Sequence, residues 1–392
     1  MLSGLLTPLA SGQTLRLWEQ EKEDIQAVLD KLIVDFEKAN PKIKIKRSHY
    51  KNEDLRTQFQ TSAMGGGGGD LVLAPNDFGG PFAIMGIIKP VQKLVDLSKF
   101  GETVKSAVAD TKGNFWAVPV SRGNHLMLFV NKAIVKKAPE TIEELVAIAK
   151  KTSNAKENKF GFAYNLTEPF WFVAFMGAYG TRPLVNAQPQ LDNEGMIKAL
   201  SLVKDFKFKD KIVPPDCGYA CAETLFLEGK VAMIINGDWA VSKYQESMKD
   251  NLIIAPLPKS AATGQYMEPM ISGKYLFVNN KLKGKKLAAA KKFIEFMTSE
   301  EIQRRLIRET GRLPALKSLI ESKEITGDPV LKAINDAMAH GQPMPMDVEL
   351  RVIWDAIRPQ LQAVMADRAE PKAAAKIMQK DAVTKIKEMR EM

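Results

Sequence analysis

Residues 14–47, TLRLWEQEKEDIQAVLDKLIVDFEKANPKIKIKR, decide the fold class. Thr14 to Trp18 reads as a strand. Glu23 to Ala39 then sets Ile25, Val28, Leu29, Leu32, Ile33 and Phe36 on one face of an amphipathic helix, which Asn40-Pro41 ends. Lys42 to Arg47 alternates charged and branched apolar residues, the period-two signature of a second strand. Strand, helix and strand in this order make a β-α-β unit.

The same alternation continues outward. Glu53 to Met64 is helical, and Leu71 to Leu73 is an apolar strand that runs into Ala74-Pro75-Asn76-Asp77-Phe78-Gly79-Gly80. Between them lies a run of five glycines, Gly65 to Gly69. A phosphate-binding loop needs Lys-Ser or Lys-Thr after its last glycine and a helix opening there, whereas Asp70 and a strand follow here, so the run is a helix-to-strand connection. Phe115 to Val120, Leu126 to Val130 and Phe160 to Tyr164 read as strands, and Thr141 caps a helix to Lys150. Lys230 to Ile235 and Lys274 to Val278 are buried strands. Leu287 to Thr298 is a helix with Leu287, Ala290, Ile294 and Met297 inward, and from Asp328 the chain is almost wholly helical. The class is α/β.

With 392 residues the chain exceeds the roughly 250–300 at which single cores stop growing, so two domains are expected. No apolar run reaches the roughly 20 residues that span a bilayer, which argues against an integral membrane protein. Met1 to Gly12, short, apolar and rich in small residues, reads as the tail of a secretory signal or as a frayed terminus. The net charge of +10 is densest at Lys281-Leu282-Lys283-Gly284-Lys285-Lys286 with Lys291-Lys292. No aromatic residue interleaves these lysines, so they read as a solvated helix face and no nucleic-acid partner is expected. Cys217 and Cys221 match neither a zinc site nor a Cys-x-x-Cys redox motif, and His49, His125 and His340 lie far apart, so no metal or cofactor is expected. A small-loop disulfide and a pair of reduced thiols both fit the two cysteines.

Three segments share one chemistry. Asn165-Leu166-Thr167-Glu168-Pro169-Phe170-Trp171-Phe172 joins a carboxylate to large rings at the mouth of a helix. Ile235-Asn236-Gly237-Asp238-Trp239 and Val352-Ile353-Trp354-Asp355 with Arg358 repeat the theme, which suits one shared cleft for a polar, ring-shaped solute. Glu168 precedes Pro169 and so sits by the positive end of a helix dipole. Phe170 and Trp171 are adjacent and cannot share a helical face, so one packs inward. Ile353, Ile357, Leu361, Val364 and Met365 form a buried stripe, and Trp354 lies about 100° off it with Arg358 on its own side. Trp239 follows a buried strand, where α/β folds place ligand groups. Trp18 ends the first strand, with Glu19, Gln20 and Glu21 after it.

In these ordered segments the chain resembles the extracytoplasmic solute-binding proteins of ABC importers, of the maltose-binding type. The resemblance runs from about Thr14 to the end, on Phe36-Glu37-Lys38, Phe78-Gly79-Gly80, Val130-Asn131-Lys132, Asn165 to Phe170, Gly229-Lys230-Val231-Ala232-Met233 with Asn236-Gly237 and Trp239, Met344-Pro345, and Trp354. It implies a type II two-lobed periplasmic binding protein fold, with a ligand cleft between lobes that close on the solute. The implied lobes are 13–123 with 275–316, and 124–274 with 317–392, the chain crossing near Arg122 to His125, Ser272 to Lys274 and Leu313 to Leu316. It also implies ligand-facing roles for Phe170, Trp239, Trp354, Tyr219 and Glu168, and at the remaining cleft positions for Trp18, Asn76 and Asn124; Arg358, in register with Trp354, is read as a further ligand-binding candidate. Leu73, Asn76 and Asn124 stand where the sugar binder has a tryptophan, an aspartate and a glutamate.

The implied function is a monomeric, periplasmic or otherwise extracytoplasmic carbohydrate-binding component that works with ABC permease subunits. An anionic or phosphorylated solute is the competing ligand, and a sensor on the same fold the competing role. A glycosidase reading would pair Glu168 with Asp238 or Asp355. No nucleophile elbow, zinc-protease motif or nucleotide fingerprint accompanies it, so the chain is read as a binding protein rather than an enzyme.

Overall fold

A computed structural model describes residues 12–391. The reading of the first residues as a signal remnant therefore concerns residues that, up to position 11, lie outside those described. The opening unit comprises β1 (Gln13–Glu19), α1 (Glu23–Ala39) and β2 (Ile43–His49), with β1 and β2 parallel and Leu15 opposite Ile45. The face expected for α1 is the buried one: Ile25, Val28, Leu29, Leu32, Ile33 and Phe36 all lie inward. Next come α2 (Asn52–Met64), β3 (Leu71–Ala74) and β4 (Val118–Gly123). The fourth strand starts three residues later than its sequence pattern suggests, because Phe115 bridges back to Ala109 instead.

The chain continues through β5 (Leu126–Asn131), α3 (Ile142–Thr152), β6 (Phe160–Ala163), α4 (Pro169–Gly177), α5 (Glu194–Phe208), α6 (Tyr219–Leu227), β7 (Val231–Gly237), β8 (Leu252–Ala255) and β9 (Met270–Val278). Thr141 does cap α3, its hydroxyl accepting the Glu144 N–H at 3.1 Å. After these follow α7 (Gly284–Met297), β10 (Leu313–Pro314), α8 (Val348–Met365) and α9 (Pro371–Glu391). In α7 the inward residues are Ala289, Ala290, Phe293, Ile294 and Met297, and Leu287 is only half-buried. Among the described residues no helix is long and apolar enough to cross a membrane.

The chain divides into two compact units. One runs through Ser121 and resumes at Gly273–Thr310 and Pro314–Ile320; the other holds Arg122–Ser272, Gly311–Leu313 and Glu321 onward. The changes of unit fall inside β4 and β9, between Thr310 and Gly311, inside β10, and just before Glu321. The first unit is built on a sheet ordered β10-β4-β9-β3-β1-β2, in which β3 runs parallel to β1 and antiparallel to β9. The second has its own sheet, β8-β5-β7-β6, with β6 and β7 parallel and the other pairs antiparallel. Mixed pairing of this kind, with helices between the strands, is the α/β class read from the sequence.

In the first unit the glycine run joins α2 to β3. The Asn279 side chain clamps it, donating to the carbonyls of Gly67 and Gly69, each at 3.0 Å. Gly69 must lack a side chain, because a Cβ there would lie 2.9 Å from the Trp18 ring. Asp70 follows, its carboxylate buried and held by Arg16 at 3.2 Å and Lys286 at 2.9 Å. Burial alone would raise its pKa, but the hydrogen bonds from Arg16 and Lys286 outweigh burial and hold it below the usual carboxylate value. One lysine of the basic cluster thus has a structural partner.

Candidate functional site

The second unit gathers rings from three separate segments. Phe170 and Trp171 stand in the first turn of α4, Tyr219 is the first residue of α6, and Trp239 follows the end of β7. Phe170 lies 6.3 Å from Trp239, and Trp171 lies 5.9 Å from Trp239 and 6.0 Å from Tyr219, ring centre to ring centre. These tilted and edge-to-face spacings are favourable for ring quadrupoles. Phe170 and Trp239 keep part of their surface open, whereas Trp171 is buried and its indole donates to the Ile235 carbonyl at 3.0 Å. The adjacent pair therefore divides as helical geometry demands, Trp171 packing inward.

Polar groups fix the wall. The Trp239 indole N–H donates to the Tyr219 hydroxyl at 3.2 Å, and that hydroxyl donates to Glu223 Oε1 at 3.0 Å. Glu223 Oε2 accepts from Lys243 at 2.8 Å. Burial, helped by the Glu223 charge, pushes the Tyr219 pKa far up, so the hydroxyl keeps its proton. Gly237 lies under the Trp239 ring so closely that any Cβ would overlap it. Beside the wall, Glu168 and Arg358 form an ion pair in which each side chain is about a third exposed. Glu168 is the residue before α4 and makes no cap with its side chain, which leaves the carboxylate for the guanidinium.

The segment where the chain enters this unit is polar and buried. The Asn124 backbone N–H donates to Asp238 Oδ2 at 2.7 Å, and His125 Nδ1 lies 3.8 Å from the same oxygen. His125 Nε2 meets the Ile334 carbonyl at 3.1 Å, and Arg122 reaches Asn335 Oδ1 at 2.7 Å. Burial drives the His125 pKa below its usual value despite Asp238, and pushes Arg122 down to about 10. Asp238 thus anchors the entering segment and is adjacent in sequence to Trp239. Its carboxylate is already committed, which weakens the glycosidase pairing with Glu168.

Of the residues singled out from sequence, Glu168, Phe170, Tyr219, Trp239 and Arg358 come together in this unit, and Asn124 joins through Asp238. Glu168 and Arg358, both read as candidates for bonding solute, bond each other. The expectation for Trp354 needs correction: it is 5 % exposed, not clear of the core. Helix α8 is packed by α9, α5 and α4, so more than its single apolar stripe is covered. Trp18 and Asn76 belong to the first unit. Trp18 is half-buried against Tyr50 at 4.8 Å and Phe59 at 6.3 Å. Asn76 is 0 % exposed, with its side-chain nitrogen bound to the Ala107 carbonyl at 2.9 Å, so that donor is already used inside the unit.

Sequence reasoning missed Glu223, Lys243 and the role of Asp238; the spacing of Tyr219 and Glu223, four apart on a helix, was the available signal. Cys217 and Cys221, left open between a disulfide and free thiols, are joined.

A model of the bacterial extracellular solute-binding protein family matches residues 31–333. The chain belongs to that family. Among curated relatives, the maltotriose-binding protein of Pyrococcus abyssi is 25 % identical, across 91 % of this chain and 78 % of its own length. The galactooligosaccharide-binding protein of Bacillus subtilis is 28 % identical, across 93 % and 87 %. Among solved structures, the maltose/maltodextrin-binding domain MalE from Bdellovibrio bacteriovorus bound to maltotriose is 33 % identical with a TM-score of 0.91, covering 95 % of this chain and 100 % of that one. The maltotriose-binding protein of Thermus thermophilus, also bound with maltotriose, has a TM-score of 0.86 at 25 % identity. This solute-binding protein thus has the two-lobed binding-protein fold expected from its sequence.

Proposed function

We propose that this solute-binding protein is the carbohydrate-recognition component of an ABC importer, taking an oligosaccharide of the maltotriose type on the ring wall of its second unit. The single observation that carries the reading is the pair of partly open rings, Phe170 and Trp239, held in place beside the Glu168–Arg358 ion pair. A pyranose offers an apolar face to a ring and hydroxyls at its edge, which need donors and acceptors close together. A carboxylate and a guanidinium side by side supply both, and their charges offset each other. That favours a neutral sugar over an anionic one, which would have to compete with Glu168 for Arg358.

Trp354, one turn from Arg358 on α8, presents at most a narrow edge; Asn124, Trp18 and Asn76 complete the proposed set, the last through groups other than the nitrogen bound to Ala107. Closure of the two lobes on the solute follows the family's manner of binding. The family's extracellular description supports an extracytoplasmic location, with the periplasm and permease subunits as the proposed setting, and the protein acts as a monomer without turning its solute over. Calorimetric titration with maltotriose, glucose and glucose 1-phosphate tests the reading. Saturable binding of maltotriose without release of glucose supports it; hydrolysis, or preference for the phosphate, overturns it.

A further inference from the structure

The proposed function assigns sugar to neither Cys217 nor Cys221, yet the loop that their disulfide closes carries Tyr219. We propose that this disulfide is a positioning device for the binding wall: it holds the start of α6 so that the Tyr219 hydroxyl fixes the Trp239 indole. The inference rests on the reading of that wall as the binding surface.

Helix α6 is short and poorly begun. It has nine residues, and its N-cap, Gly218, has no side chain to accept the first free N–H groups. A helix of that length is marginal without tertiary restraint. The disulfide spans the cap and the first turn, bracketing Tyr219 on both sides. The Cys217 carbonyl also accepts the Leu166 N–H at 3.3 Å, two residues before Glu168, so the loop is tied to the segment that opens α4.

At the other end of Tyr219 the geometry leaves little slack. The hydroxyl accepts from Trp239 and donates to Glu223, and Glu223 is held in turn by Lys243. Gly237 and Trp171 limit the Trp239 ring from its other sides. Movement of the first turn of α6 therefore releases the one hydrogen bond that orients the indole. Outside the cytoplasm such a bond stays oxidised.

The test removes the bond and follows the indole with and without sugar. Cys217→Ser with Cys221→Ser should keep its far-ultraviolet dichroism, change its near-ultraviolet tryptophan signal, and bind maltotriose roughly tenfold more weakly, the equivalent of one well-placed hydrogen bond. Adding Gly218→Ser, which supplies a cap acceptor where a Cβ would meet only the Asn165 Oδ1 at 3.9 Å, an ordinary contact, should recover most of that affinity. In a Tyr219→Phe background, removing the disulfide should add little. Unchanged affinity together with an unchanged near-ultraviolet signal overturns the proposal, as does a loss that Gly218→Ser leaves untouched. If the natural protein binds no maltotriose, the functional reading fails, and the near-ultraviolet signal alone decides the positioning role. Should the double variant not fold, reduction of the natural protein by a phosphine is read by the same signal.

Discussion

Replacing Phe170 by Ala tests the ring wall with little disturbance to the unit. The ring is partly exposed and meets Trp171 at 5.7 Å and Trp239 at 6.3 Å, so its loss uncovers no sealed core. The stability cost should stay near 1 kcal/mol, the centre of the range for single substitutions. The binding cost is larger. A pyranose laid on one ring face removes about 40–60 Å² of apolar surface from water, worth about 1–1.5 kcal/mol at 25 cal/mol per Å². Counting about 0.5–1.5 kcal/mol for the loss of the ring's quadrupole as well, affinity should fall about ten- to hundredfold. Phe170→Leu, which keeps apolar area without a π face, should fall between the two. Isothermal titration with maltotriose reads the constants, and a melting curve checks folding. Equal affinities in a folded Phe170→Ala protein would refute the assignment of this ring to the sugar.

Four further outcomes follow from the geometry. Gly237→Ala drives a methyl into the Trp239 ring and should cost about 1–3 kcal/mol in a denaturant melt while abolishing the near-ultraviolet signal of that indole. Arg358→Met leaves Glu168 without its partner but removes no core contact; it should weaken maltotriose binding at least fivefold with a melting temperature within a few degrees of the natural protein, the pair being too exposed to matter much for folding. Asp70→Asn should destabilise the first unit by about 2 kcal/mol, seen as a shifted urea midpoint, since it removes a buried charge and turns one of the two oxygens that accept from Arg16 and Lys286 into a donor. Because the folded Asp70 pKa is lowered, that stabilisation is full above about pH 3.9 and disappears as pH falls through the folded value, so the variant should show a flatter acid profile. His125 behaves differently: its folded pKa is also lowered, but its neutral form is the stable one. Unfolded chains take up the proton below about pH 6.5 while the buried ring refuses it, so stability should drop from pH 6.5 downward, and His125→Asn should blunt that drop.

How much of this was legible in the sequence varies by element. Helix α1 could be read face and ends, because its apolar residues keep a helical period over seventeen positions and Asn40-Pro41 stops it. Thr141 declared its cap through a single local hydrogen bond. Helix α8 was misread at Trp354, since periodicity reports one covered face and cannot register that α4, α5 and α9 pack around the same helix. The stretch from Pro169 to Leu227 gave little: α4 is apolar on every side and α6 is too short to show a period, so neither announces which ring faces out. The Glu168–Arg358 pair joins residues 190 positions apart, and the hydrogen bond from Trp239 to Tyr219 depends on a disulfide that spacing left open. Ring and carboxylate types were visible; their partners were decided by tertiary packing.

The central claim, a neutral oligosaccharide held on the wall of Phe170 and Trp239, is tested most directly by titrating maltotriose into the purified protein while recording tryptophan fluorescence. The account predicts a saturable change with one site per chain, lost in Trp239→Ala and unaffected by equimolar sugar phosphate. A natural protein whose fluorescence and heat signal stay flat to millimolar maltotriose would contradict it.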